Sequence, residues 1–411
     1  MAKHGTNPKK TPEWREAENW FKQLHASPVF SFFGGGIMPG PDSEALDGEL
    51  AKLLTFCPDY FPAWFYRGEY MLRAGKAAEG EQYIKSGFDH MAVVLEKEEE
   101  FERVLYQQVE NLEKLLRYDL TAALMEKAIR LFPDTACYYD DLAYYILQLP
   151  DRDKSEALRR QEKALDLDPD NDCFINNTGW IHLMMGNFHE AEQSFNKALD
   201  FNVDNPGALK NLDTAEYMRA HKLYYLEYLL RPADMKEIRN LRENVDFEGA
   251  TELCREYNTD REDAFQTHAL QNKTMHPHDI LNVLQPFRFF MKDVEKTMVD
   301  DIFLYENIDL LCDNFKLFLY RFIRTREFIE EQMLLEINRS LAIFYDFLRD
   351  KNLITTDQHK RFNDRINSTI GEFSRKIEDY NRLRHDFNLQ EAEREKGIEE
   401  LFGSHYLKEM E

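Results

Sequence analysis

From Ile280 onward, apolar residues recur at steps of three and four. The first series is Ile280, Leu284, Phe287, Met291, Val294 and Met298, and the second is Ile302, Tyr305, Ile308, Leu311, Phe315, Phe318 and Phe322. Two more follow: Ile329, Met333, Ile337, Leu341, Phe344 and Leu348, then Phe362, Ile366, Ile370, Phe373, Ile377 and Tyr380. Steps of that size over many turns put one apolar stripe on each of several amphipathic helices. The segment Asp350 to Thr356 reads as a turn, with Thr355, Thr356 and Asp357 as candidate N-caps for the last helix. No breaker separates the first two series, so Asp300 and Asp301 are either a turn or the middle of one long helix. The pattern predicts an antiparallel helical bundle over residues 280–390 and a charged, fraying tail over 391–411.

Upstream the pattern changes to a repeat. Ala157 and Ala164 precede Pro169, and 34 residues later Ala191 and Ala198 precede Val203, with Phe195 four places after Ala191. Residues 172–205 also place Gly179 at an eighth position and Gly186 in an interhelix turn. The copy over 136–171 has Tyr139, Leu142, Ala143 and Ile146 in its first helix, and two extra residues at Pro150 and Asp151. Leu105, Leu112, Met125, Ala128 and Pro133 mark a looser copy over 102–135. Trp64, Gly68, Met71, Gly75, Gly80, Ile84 and Gly87 mark one from Phe61, with the acidic run Glu96 to Glu100 filling the longer gap after it. Small residues at positions 8, 20 and 27 let neighbouring helices approach, and large ones at 4, 7, 11 and 24 fill the spaces between them.

This arrangement resembles the tetratricopeptide repeat (TPR) family, firmly for 136–205 and more loosely over 61–230. The implied fold is all-α, a TPR-like helical-hairpin solenoid followed by the antiparallel bundle. The expected division is N-terminal helices with a Gly/Pro-rich loop (1–60), the solenoid (61–230), a capping hairpin and linker (231–279), the bundle (280–390) and the tail (391–411). The resemblance also implies a concave groove lined by positions 2, 5, 9 and 12 of each first helix. Those positions include Phe65, Glu69, Tyr106, Glu110, Asp140, Tyr144, Asn176, Trp180, Lys210 and Tyr217. Trp180 and Tyr144 share position 9 of adjacent repeats, so their rings are expected side by side. A clamp for a chaperone's Glu-Glu-Val-Asp tail would need Lys and Asn where Asp140 and Tyr144 stand; Asn177 alone matches it. Aromatics flanked by carboxylates suit a peptide with apolar anchors and some basic residues. The competing reading is that these rings pack against another part of the same chain.

Composition narrows the partners. Acidic residues number 76 and basic residues 52 in 411, a formal charge of −24, which disfavours non-specific binding to nucleic acid or anionic membranes. No run of about 18 apolar residues occurs, and the N-terminus lacks the apolar stretch of an export signal. Five scattered cysteines with no Cys-x-x-Cys pair fit a reducing compartment, so the expected location is the cytoplasm.

Candidate chemistry is sparse. His276, His278 and Asp279, with His268 nearby, are the best metal-ligand candidates, but no His-Glu-x-x-His motif completes them, and no metal or cofactor is expected. The Gly34 to Gly36 loop lacks the Gly-Lys-Ser/Thr of a phosphate-binding loop. Arg321, Arg324 and Arg326, and Lys360, Arg361 and Arg365, read as solvated faces paired with nearby carboxylates. No nucleophile, base and oxyanion donor converge, so the chain reads as a non-enzymatic scaffold or adaptor that binds a protein or peptide, with self-association through the bundle possible. The alternative is a regulator whose bundle binds nucleic acid or a small ligand while the repeats sense a peptide.

Overall fold

A computed structural model describes residues 8–25, 41–298 and 302–403. The Gly34 to Gly36 loop and the Asp300–Asp301 pair lie outside the described residues. Among those described there is no strand, and the α-helices run in chain order as α1 (Pro12–His25), α2 (Pro41–Phe56), α3 (Phe61–Arg73), α4 (Ala77–Val94), α5 (Glu98–Lys114), α6 (Tyr118–Leu131), α7 (Ala136–Gln148), α8 (Lys154–Leu167), α9 (Asp172–Met185), α10 (Phe188–Phe201) and α11 (Pro206–His221). They continue as α12 (Tyr225–Leu229), α13 (Met235–Glu243), α14 (Phe247–Gln271), α15 (Pro277–Thr297), α16 (Ile308–Arg324), α17 (Glu331–Asp350), α18 (Thr356–Ser374), α19 (Ile377–Arg384) and α20 (Glu391–Phe402).

The chain divides into two compact units. The first holds residues up to Tyr225 together with Ala269–His278, and the second holds Leu226–His268 and Asp279 onward. In the first unit α3/α4, α5/α6, α7/α8 and α9/α10 are successive hairpins, and α11 opens the next. Side-chain caps set their starts: Asn171 accepts from the N–H groups of Cys173 and Phe174, Asn205 from Ala208, and Asp153 from Ser155. Gly186 ends α9 at φ +81°, a left-handed conformation that costs glycine little. The interhelix contact requires glycine elsewhere for a different reason. A Cβ on Gly179 would stand 2.5 Å from the Phe195 ring, and one on Gly68 would stand 2.6 Å from Ile84. Ala128, Ala143, Ala157, Ala164, Ala191 and Ala198 are fully buried at the other small positions.

The second unit is built on aromatic packing. Phe287 stacks on Phe344 at 4.0 Å, Tyr345 lies against Phe362 at 4.1 Å, and Phe290, Phe315 and Phe322 fill the space beside them. Thr355 and Gln358 form a reciprocal capping box at the start of α18, where N-caps were expected. Pro286 inside α15 deprives the Asn282 carbonyl of its helical donor, and the Ser340 hydroxyl of α17 donates to that oxygen at 3.4 Å.

Three expectations change. The alternative of one helix through 280–326 is settled as two, because Ile302 to Asn307 is non-helical between α15 and α16. Within the expected capping hairpin and linker of 231–279, one helix runs from Phe247 to Gln271, and its Arg261 is fully buried: Nη1 donates to the Leu229 carbonyl at 2.7 Å, Nη2 to the Arg231 carbonyl at 2.8 Å and to Glu306 at 2.9 Å. The expected tail forms α20, capped by Gln390 and Glu393, with Phe402 buried 4.9 Å from Phe373 and 5.6 Å from Tyr320. Sequence charge concealed that helix because only Ile398 and Phe402 of its residues are buried.

Candidate partner-binding face

The first helix of each hairpin carries a run of polar side chains toward the first helix of the next. Position 5 of one repeat meets position 6 of the following one, three times in succession. Tyr106 Oη donates to Asp141 Oδ2 at 2.6 Å, Asn177 Nδ2 donates to both oxygens of Asp140 at 2.9 and 3.1 Å, and Asn211 Nδ2 donates to Asn176 Oδ1 at 3.0 Å. Further along the same helices, Asn111 Nδ2 donates to Glu69 Oε1 at 2.8 Å and Tyr145 Oη to Glu113 Oε1 at 2.9 Å. Partners in these five pairs stand 32 to 42 residues apart, one repeat length. Gln161, fully buried in α8, donates to Asp140 at 2.6 Å from behind.

The small residues that set helix spacing and the polar pairs that set register recur together at one repeat period. The hairpins are tetratricopeptide-like in this packing. No protein-family model matches the chain, and no curated protein matches it. Among solved structures, the chain is similar to YrrB, a TPR protein with an unusual peptide-binding site (17% identity over 52% of this chain and 99% of that one, TM-score 0.30). It is also similar to the P58(IPK) TPR domain (12%, 88% and 94%, TM-score 0.22) and to yeast Tom70 (14%, 91% and 94%, TM-score 0.19). The likeness to tetratricopeptide hairpins rests on the packing within this chain.

Burial and like charge make this face electrostatically uneven. Asp141 is raised to about 7, first by burial and then by Asp140, Glu113 and Glu102, while the Tyr106 hydroxyl partly offsets this. Glu69 is likewise pushed up to about 7 by burial, against the stabilising effect of Asn111, Arg73 and Lys114. Asp140 is raised by burial and held back by Gln161 and Asn177. Cys137 adds a weak donor to Glu102 at 3.8 Å.

The expected groove residues sort into groups. Glu69, Tyr106, Asp140 and Asn176 belong to the inter-repeat pairs above. Phe65 leaves the surface altogether: at 1% exposure its ring lies under Gly87, where a Cβ would come within 3.0 Å, and it packs edge-on against Phe61. Tyr144 is 42% exposed with its ring 5.3 Å from Tyr145, while half-buried Trp180 meets Tyr225 edge-to-face at 5.1 Å. Those rings therefore have neighbours other than the side-by-side partner expected for them. Glu110 pairs with Lys114 at 2.7 Å, Lys210 is exposed, and Tyr217 stacks on His221 at 4.1 Å. Reading only positions 2, 5, 9 and 12 missed Asp141 and Asn211, and Asn177 was noted only as a clamp position; the recurrent polar pair at positions 5 and 6 was the available signal.

The His276 ring accepts from the backbone N–H of His278 at 3.3 Å, and among the described residues no group of three or more His, Cys, Asp or Glu is placed to hold a metal. All five cysteines are free. Arg324 pairs with Glu395 at 2.6 Å, Arg326 with Asp293 at 2.7 Å, and Arg361 with Asp309. No helix among the described residues is long and apolar enough to cross a membrane.

Proposed function

We propose that the chain is a non-catalytic interaction scaffold whose first-helix face receives a peptide carrying basic residues beside apolar anchors. The observation that supports this reading is the carboxylate cluster of Glu102, Glu113, Asp140 and Asp141. Asp141 is disfavoured in its charged form chiefly by burial and by those like-charged neighbours. A lysine or arginine from a ligand would supply the missing opposite charge and draw the proton off Asp141, so the interaction strengthens where water is excluded. Tyr144 and Trp180 provide rigid rings within the same row of helices, suited to apolar anchors. Asp140 and Tyr144 also exclude a clamp for a peptide's terminal carboxylate. Nothing on this face combines a nucleophile with a base and an oxyanion donor, which favours a binding role over an enzymatic one.

The test is selection from a random peptide library on the intact chain and on an Asp141→Asn, Glu113→Gln double variant. Wild type should enrich peptides with Arg or Lys next to aromatic or aliphatic residues, and the variant should lose the basic preference. Enrichment of acidic or neutral peptides, or an unchanged preference in the variant, would overturn the reading.

A further inference from the structure

A cavity of about 370 Å³ lies within the second unit, between α14 and α15. That volume falls within the roughly 300–1,000 Å³ of small-molecule sites. Thr251, Cys254 and Asn258 line it from α14, Met298 and Phe303 from beyond α15, and the charged groups Arg255, Lys292, Glu295 and Lys296 stand on its walls. Its apolar surface comes from Cys254, Met298 and Phe303, all buried. Asn258 is already used: its amide donates to the Phe303 carbonyl at 3.0 Å and its oxygen accepts from the Tyr305 N–H at 2.9 Å, which fixes the Phe303 wall.

The charge arithmetic then defines a ligand. Arg255 is engaged with Glu252, and Lys296 lies 3.6 Å from Asp293. Lys292 is exposed and has no ion pair among the described residues, in a chain of formal charge −24. Lys292, with Arg255 and Lys296 on the same walls, gives the cavity a cationic rim, and a cationic rim over buried Cys254, Met298 and Phe303 suits an anion with an apolar body. Glu295 on the same wall favours a singly charged anion over a doubly charged one, because each added negative charge is repelled by that carboxylate.

We propose that this cavity binds an aliphatic monocarboxylate, with its tail against Cys254, Met298 and Phe303 and its head group on Lys292. The site is separate from the peptide face and does not depend on it. Calorimetric titration of the intact chain with decanoate should show one site. Decanol, which keeps the tail and lacks the charge, should bind about tenfold more weakly or worse. Lys292→Met should weaken decanoate by a similar factor; Lys292 is exposed, so this variant keeps its fold, which circular dichroism checks. Thr251→Trp, which fills the cavity, should abolish binding. Decyl phosphate should bind less well than decanoate. No decanoate binding, equal affinity for decanol, full affinity in Lys292→Met, or preference for decyl phosphate would each overturn the proposal.

Discussion

The two units bury polar groups in opposite ways. In the repeat unit, side chain meets side chain at a fixed sequence interval: Tyr106 with Asp141, Asp140 with Asn177, Asn176 with Asn211. In the bundle, side chains reach irregular backbone: Asn258 holds Phe303 and Tyr305, Arg261 holds Leu229 and Arg231, and Tyr345 Oη donates to the Tyr305 carbonyl at 3.0 Å. Repetition gives successive hairpins the same neighbour, so one polar register serves the three junctions from α5 to α11. A bundle with unequal connections must satisfy each non-helical carbonyl separately.

The contrast predicts a graded set of outcomes. Arg261→Ala should have the largest effect, about 4 kcal/mol, because it strips two backbone carbonyls and the partly buried Glu306 of one shared donor. Hydrogen exchange should show lost protection in the second unit with α7 to α10 unchanged; loss spread equally over the repeats would break the distinction. Gly179→Leu should cost about 3 kcal/mol and act on the first unit, since its side chain would collide with Phe195. Asn177→Ala should cost about 2 kcal/mol, leaving Asp140 with Gln161 as its remaining amide donor. Denaturant unfolding measures both.

A smaller effect should appear with pH. Glu69 and Asp141 are raised to about 7 in the folded chain, so folding takes up protons, and the stability they support is fully present below the ordinary carboxylate range. It is lost as pH rises through 7. Wild type should therefore melt at a lower temperature at pH 8 than at pH 5.5, and Asp141→Asn should reduce that difference. An identical pH dependence in the variant would remove Asp141 from the account. The smallest change expected is a gain: Val245 sits at φ +65° although β-branched and exposed, so Val245→Gly should stabilise the chain by about 1 kcal/mol, measured by thermal unfolding.

The hairpins over 136–205 were legible because Gly179, Phe195 and the alanines act through close packing, which leaves a fixed spacing in sequence. The bundle's apolar stripes were legible for the same reason. The path of the chain through 226–271 was not, because Arg261 and Asn258 look like ordinary surface residues until the carbonyls they hold are in place. Nor was the order within the expected groove. Asp140 and Asn176 were identified as surface positions, while their partners Asn177 and Asn211 lie one residue later in the next repeat, outside the positions that line a TPR groove. Phe65 occupies a groove position by count, but the smallness of Gly87 draws its ring inward.

If the acidic first-helix face takes up cationic side chains, binding must release protons, and that release can be measured. A peptide selected on the wild-type chain is titrated calorimetrically at pH 7 in two buffers of different ionisation enthalpy, against wild type and Asp141→Asn. At that pH the Asp141 carboxyl is about half protonated, so an arriving arginine or lysine should drive off a fraction of a proton per peptide. Wild type should release protons, and Asp141→Asn should release fewer and bind more weakly. Equal affinity and no proton release in either protein would contradict cation uptake by this face.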